Sequence, residues 1–170
     1  MMNQYQILIL ASMTMVISLI SGCEGDKGQA PSVTAIADST SHTKDKQIEI
    51  TVYKSPTCGC CTDWEDHLRD EGFKVTSIDE TDMDRIKSSN GVPEHLHSCH
   101  TAVIDGYVVE GHVPAADIYR MLKERPEIVG LSAPGMPMKS PGMQQPGLLP
   151  QGYSVLAFNK RGESVVFTSY

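Results

Sequence analysis

Apolar and polar residues alternate from Ile48 to Tyr53, several of them β-branched, and this spacing predicts a strand. Pro56 and Gly59 then break the chain. Cys61, Trp64 and Leu68 recur at helical spacing, and Gly72 ends that helix. Phe73 to Ile78 predicts a second strand. Thr101 to Ile104 and Tyr107 to Glu110, separated by Asp105-Gly106, predict a hairpin. Pro114 suits the first turn of a helix through Ile118, Met121 and Leu122 that stops before Pro126. Val129 to Gln151 is rich in Pro, Gly and Met and has no periodicity, so it reads as a long loop. Such loops are usually functional or mobile. Tyr153 to Phe158 and Ser164 to Ser169, joined through Asn159-Lys160-Arg161-Gly162, close the chain as a second hairpin. The pattern predicts one α/β domain over 48–170 with a mixed sheet, and no internal repeat.

The N-terminus follows a different pattern. Ile7 to Ile20 is almost wholly apolar, but shorter than the ~20 residues a membrane span needs, so it reads as a secretory leader. It ends in Ile20-Ser21-Gly22-Cys23, which resembles a bacterial lipobox. Residues 1–22 are therefore expected to be a lipoprotein signal peptide and Cys23 the lipidated residue, although Met1 to Gln6 carries no Lys or Arg. Glu24 after the cysteine favours the outer membrane by resemblance to lipoprotein sorting rules. Residues 23–47 have few large apolar side chains and read as a flexible tether, in which His42 has no assigned role. The expected protein is periplasmic and held to a membrane by lipid.

Charge adds little to this picture. The net charge is -7, with no basic stripe, which argues against nucleic acid as a partner. The acidic run from Asp79 to Asp84 reads as a solvated face.

Cysteine placement adds more. Of five cysteines, three lie at Cys58, Cys60 and Cys61, where the first strand enters the first helix. A fourth, Cys99, stands between His97 and His100. A helix N-terminus favours the thiolate, and Cys58 and Cys61 have the Cys-x-x-Cys spacing of thiol-disulfide exchange. The additional Cys60 supplies a third sulfur for a soft cation such as Cu(I). Adjacent residues diverge by about 100° around a helix, so capture of one ion by three thiolates is strained. Thiolates bridging several Cu(I) ions would use the same positions with less distortion.

Rival readings stay open: a thiol-disulfide oxidoreductase using Cys58 and Cys61, two structural disulfides stapling a binding module, or structural zinc. His97, His100, Met136 and Met138 are candidate additional copper ligands, and His95 and Met143 lie in the same two segments. His112 is as readily structural as functional, His67 is expected at the surface, and Trp64 in the core, covering the site.

The β-α-β unit followed by a hairpin and helix, with cysteines at the first strand-helix junction, resembles the thioredoxin-like fold. There the segment entering the third strand faces the redox cysteines, which would bring Cys99 and His100 opposite Cys58, Cys60 and Cys61. More specifically, Cys-Gly-Cys-Cys, Ser98-Cys99-His100-Thr101-Ala102, Gly106-Tyr107, Glu110-Gly111-His112-Val113-Pro114-Ala115 and Pro134-Gly135-Met136-Pro137 occur in the order of the periplasmic CopG-type copper-resistance family. The resemblance spans about Ile48 to Tyr170. It implies a thioredoxin-like domain whose Cys58, Cys60, Cys61 and Cys99 hold a cysteine-bridged, multinuclear copper site. It also implies copper resistance by sequestration or by Cu(I)/Cu(II) interconversion, the latter as a copper oxidoreductase. Copper ions are the expected partners, with other periplasmic copper-handling or efflux proteins.

Overall fold

The computed structural model describes residues 47–170. The expected signal peptide, Cys23, His42 and nearly all of the tether lie outside the described residues. Along the chain run β1 (Glu49–Lys54), α1 (Gly59–Asp70), β2 (Lys74–Asp79), α2 (Met83–Ser89), a 3-10 turn (Glu94–Leu96), β3 (His100–Ile104) and β4 (Tyr107–Gly111). Then come α3 (Ala115–Glu124), β5 (Gly130–Ala133), β6 (Ser154–Phe158) and β7 (Ser164–Ser169). The strands form one mixed sheet in the order β2-β1-β3-β4-β5-β6-β7. β1 pairs parallel with β2 and β4 with β5, while the other neighbours are antiparallel. This is the expected α/β architecture with a mixed sheet and a C-terminal hairpin, and it is consistent with a thioredoxin-like fold.

The alternation that predicted β1 has a physical basis. Ile50 and Val52 are buried beside Trp64 and Leu68 of α1, while Thr51 and Tyr53 are partly covered. Phe73, Ala102, Ile104, Val109, Ile118, Met121, Leu131 and Val155 belong to the same main core. Full burial of such a Leu or Ile side chain contributes about 1.5–3 kcal/mol, which outweighs the weak helix propensity of a sequence like Gly59–Asp70. Val92, Leu96, Val108 and Phe158 form a second cluster. The β3–β4 turn places Asp105 and Gly106 at φ 47° and 84°, as a two-residue hairpin of primed type requires.

Two elements depart from the expected pattern. The first residues of the segment read as a loop form β5, every residue of which is buried beside β4 and β6. Strand formation there depends on partners distant in sequence, and four residues are too few to show a period. The acidic run is solvated as expected, but it also starts α2: the Asp82 carboxylate accepts from the Arg85 amide at 3.0 Å. None of the described helices is long and apolar enough to cross a membrane.

Candidate metal centre

Pro56 and Gly59 bring the chain from β1 into α1 through a tight turn in which the Cys58 amide donates to the Ser55 carbonyl at 3.0 Å. Cys58 caps α1, and Cys60 and Cys61 occupy its first turn. Cys61 is fully buried, Cys58 and Cys60 partly so. The antiparallel pairing of Lys54 with His100 brings the start of β3 alongside the end of β1. Cys99 therefore faces the first turn of α1. The sulfurs of Cys58, Cys60, Cys61 and Cys99 all lie within 4.8 Å of one another.

The cysteines are not equivalent. Cys58 and Cys61 are joined in a disulfide, while Cys60 and Cys99 are free thiols. Cys60 Sγ lies 3.7 Å from Cys58 Sγ. A set of four thiolates therefore exists only in the reduced protein. Burial pushes the Cys99 thiol up to about 12, with the neighbouring Cys60 adding to the shift, so at neutral pH it keeps its proton until a metal displaces it.

A second donor group shares Cys99. Its sulfur lies 3.0 Å from His112 Nε2 and 3.3 Å from His100 Nδ1. His112 Nδ1 lies 2.7 Å from the Pro141 carbonyl, which can only accept, so the Nδ1 proton is donated there. Nε2 then carries a free lone pair towards the sulfur. Burial lowers the pKa of both histidines, and His112 and Lys87 push that of His100 down further, so both rings are neutral. Trp64 closes the site from the core side. Its ring packs on His100 with centroids 4.3 Å apart, and its Nε1 donates to the Val113 carbonyl at 2.9 Å. Gly142 closes another side, because its backbone lies against the first two turns of α1 at Cys60 and Trp64.

The structure thus brings together Cys58, Cys60, Cys61, Cys99 and His100, and adds His112. The other candidates lie elsewhere. His97 Nε2 approaches the Val92 carbonyl at 3.3 Å and is not among the clustered donors. His95 is exposed. Met136 and Met138 are 57% and 71% exposed, and Met143 is half-buried. His67 is not a surface residue as expected: it is half-buried, and its Nε2 accepts from the Ala115 amide at 3.2 Å, tying α1 to α3. The signal for His112 was present in the hairpin itself. Thr101 pairs with Glu110, and two residues further along this ladder Cys99 comes opposite His112, on the same face.

Sulfur and imidazole donors that converge at a strand-helix junction define a class of thiol-rich α/β protein, built to bind a soft metal or exchange disulfides. The comparisons with known proteins narrow that class. Residues 96–143 match the family model described as "Protein of unknown function, DUF411". Two solved structures, described as forms 1 and 2 of copper resistance protein CopG, are each 48% identical to the chain with a TM-score of 0.68. Each match covers 74% of this chain, and 99% of form 2 and 98% of form 1. No curated protein matches. The chain belongs to the CopG-type copper-resistance family.

Proposed function

We propose that this protein binds copper in the periplasm, anchored through Cys23, and that its reduced thiols hold Cu(I) as a cysteine-bridged, multinuclear site. The observation that carries this reading is the convergence of four sulfurs from two segments within 4.8 Å of one another. Thiolates are soft donors that suit Cu(I), and the solved relatives are named for copper resistance. Copper is the cargo, and sequestration by itself would lower its toxicity. Interconversion is open to the same residues: two Cu(II) ions gain one electron each as the Cys58 and Cys61 thiolates lose two and form their disulfide. Other periplasmic copper-handling or efflux proteins are the proposed partners.

The test is anaerobic Cu(I) titration of protein reduced and then freed of reductant, beside protein left oxidised. More than one copper per chain is expected when reduced, with marked loss in Cys60→Ser and in Cys99→Ser. Uptake below one copper per chain would sink the proposal, as would uptake unchanged by Cys60→Ser.

A second reading follows from the Cys58–Cys61 disulfide: a dithiol reductant opens it with two electrons, and the resulting thiols pass those electrons to a disulfide substrate as their own disulfide re-forms. Turnover of a disulfide substrate by metal-free protein, abolished by Cys58→Ser and retained in Cys60→Ser, would favour it over copper binding.

A further inference from the structure

Lys87 and Glu110 form an ion pair in the interior, with side chains 5% and 0% exposed and Nζ to Oε1 at 2.6 Å. Buried pairs of this kind are weak sources of stability, because apolar residues of similar volume pack as well or better. What they can supply is position. The other donors to Glu110 come from the two residues that flank Cys99-His100. Its Oε1 accepts from the Ser98 amide at 2.6 Å, and its Oε2 from the Thr101 hydroxyl at 2.7 Å. Lys87 Nζ also reaches Thr101 Oγ1 at 3.2 Å. The carboxylate thus spans the chain from Ser98 to Thr101, with Cys99 and His100 between its two attachments.

The neighbouring backbone completes the clamp. Gly111 has φ 70°, and a Cβ there would stand 2.4 Å from Ser98 Oγ. With no side chain in the way, Ser98 sits against β4 and its hydroxyl donates to the Gly135 carbonyl. α2 is a helix of seven residues in which only Ile86 and Lys87 are buried, and its one buried charge is spent on this carboxylate.

We propose that Glu110, held in place by Lys87, is a positioning residue that fixes Cys99 opposite the first turn of α1. The inference rests on the copper reading for its purpose, but its geometry can be tested without copper.

The test measures the rate of Cys99 alkylation by iodoacetamide, peptide-resolved by mass spectrometry, in metal-free protein whose Cys58–Cys61 disulfide is intact. Two double variants avoid an unpaired buried charge. Lys87→Met/Glu110→Gln keeps an acceptor for the Ser98 amide, whereas Lys87→Met/Glu110→Leu keeps none. The Leu variant is expected to alkylate at Cys99 about tenfold faster than wild type, the opening gained when the Ser98 amide loses its one acceptor, while the Gln variant, which keeps that acceptor, stays near wild type. Reduced Leu protein should also bind Cu(I) about tenfold more weakly, its melting temperature being followed in parallel.

Cys99 rates within twofold of each other in the Leu, Gln and wild-type proteins would overturn the proposal. If the Leu variant does not fold, Thr101→Val removes one attachment with little change of shape. A raised Cys99 rate there supports the clamp, and an unchanged one overturns it. Should wild-type protein bind no copper, the copper reading fails while the alkylation result still decides the positioning role.

Discussion

Gly142→Ala is the substitution whose consequence the structure specifies most closely. Gly142 has φ 80°, and an added Cβ would stand 2.6 Å from Trp64 N and 2.9 Å from both Cys60 O and Trp64 Cα. These are backbone atoms in the first turns of α1, so no side chain can swing aside. The left-handed conformation costs an alanine about 1–2 kcal/mol. Overpacking against a fixed neighbour adds about 1–3 kcal/mol.

Opposing this, the hydrogen bond from His112 to Pro141 contributes about 0.5–1.5 kcal/mol, and burial of Pro141 adds a little more. The strain exceeds the hydrogen bond that ties Pro141 to His112, so the chain at Pro141-Gly142 is expected to lift from α1. His112 then loses the partner that aims its Nε2 at Cys99. The assay pairs thermal unfolding with anaerobic Cu(I) titration, using Gly147→Ala as control. Gly147 has φ 82° and nothing within 4 Å of the added Cβ, so it carries the backbone strain without the clash. Gly142→Ala should melt several degrees below the control, at about 2–8 °C per kcal/mol for a domain of this size, and bind copper more weakly. Equal melting temperatures and equal copper binding in the two variants would refute the reasoning.

Trp64→Phe removes the donor to the buried Val113 carbonyl and should destabilise by about 1–3 kcal/mol beyond the loss of ring volume, checked by denaturant unfolding; unchanged stability would show that the carbonyl finds another partner. His67 has its pKa lowered below 6.5, chiefly by burial, so the unfolded chain takes up the proton first as pH falls. Its contribution to stability is therefore present above pH 6.5 and is lost as the pH falls below that value. Wild type should lose more melting temperature than His67→Gln between pH 7 and pH 5, and parallel losses would remove His67 from this role. Replacing both Met136 and Met138 by Leu should leave stability within about 0.5 kcal/mol, because both are exposed, and should leave copper stoichiometry unchanged. A fall in stoichiometry would assign their thioethers to the site.

Much of this molecule is readable along the chain, because strong local patterns specify local structure. The period-two run at β1, the helical spacing of Cys61, Trp64 and Leu68, and Asp105-Gly106 between two apolar strands each carry their own geometric signal. β5 carries none. Gly130–Ala133 is a strand because β4 and β6 flank it, and a Cβ on Gly130 would stand 1.9 Å from the Val108 carbonyl. α2 is short and starts among acids, and nothing in its spacing marks Lys87 as a buried charge. His67 is expected at the surface because it lies off the apolar stripe of α1, and it is half-buried where the start of α3 docks on it.

The sequence by itself determined the chemistry on offer. Three cysteines at a strand-helix junction, and a fourth flanked by histidines, are ligands or redox groups wherever the chain goes, because their identity is covalent. Tertiary structure decided which of them meet. Pairing of β1 with β3 carries Cys99 to the first turn of α1, and the β3–β4 ladder brings His112 opposite Cys99. It also decided protonation: burial holds the proton on Cys99 and keeps it off His100 and His112. Desolvation depends on every neighbour at once, and that information exists only after the chain has folded.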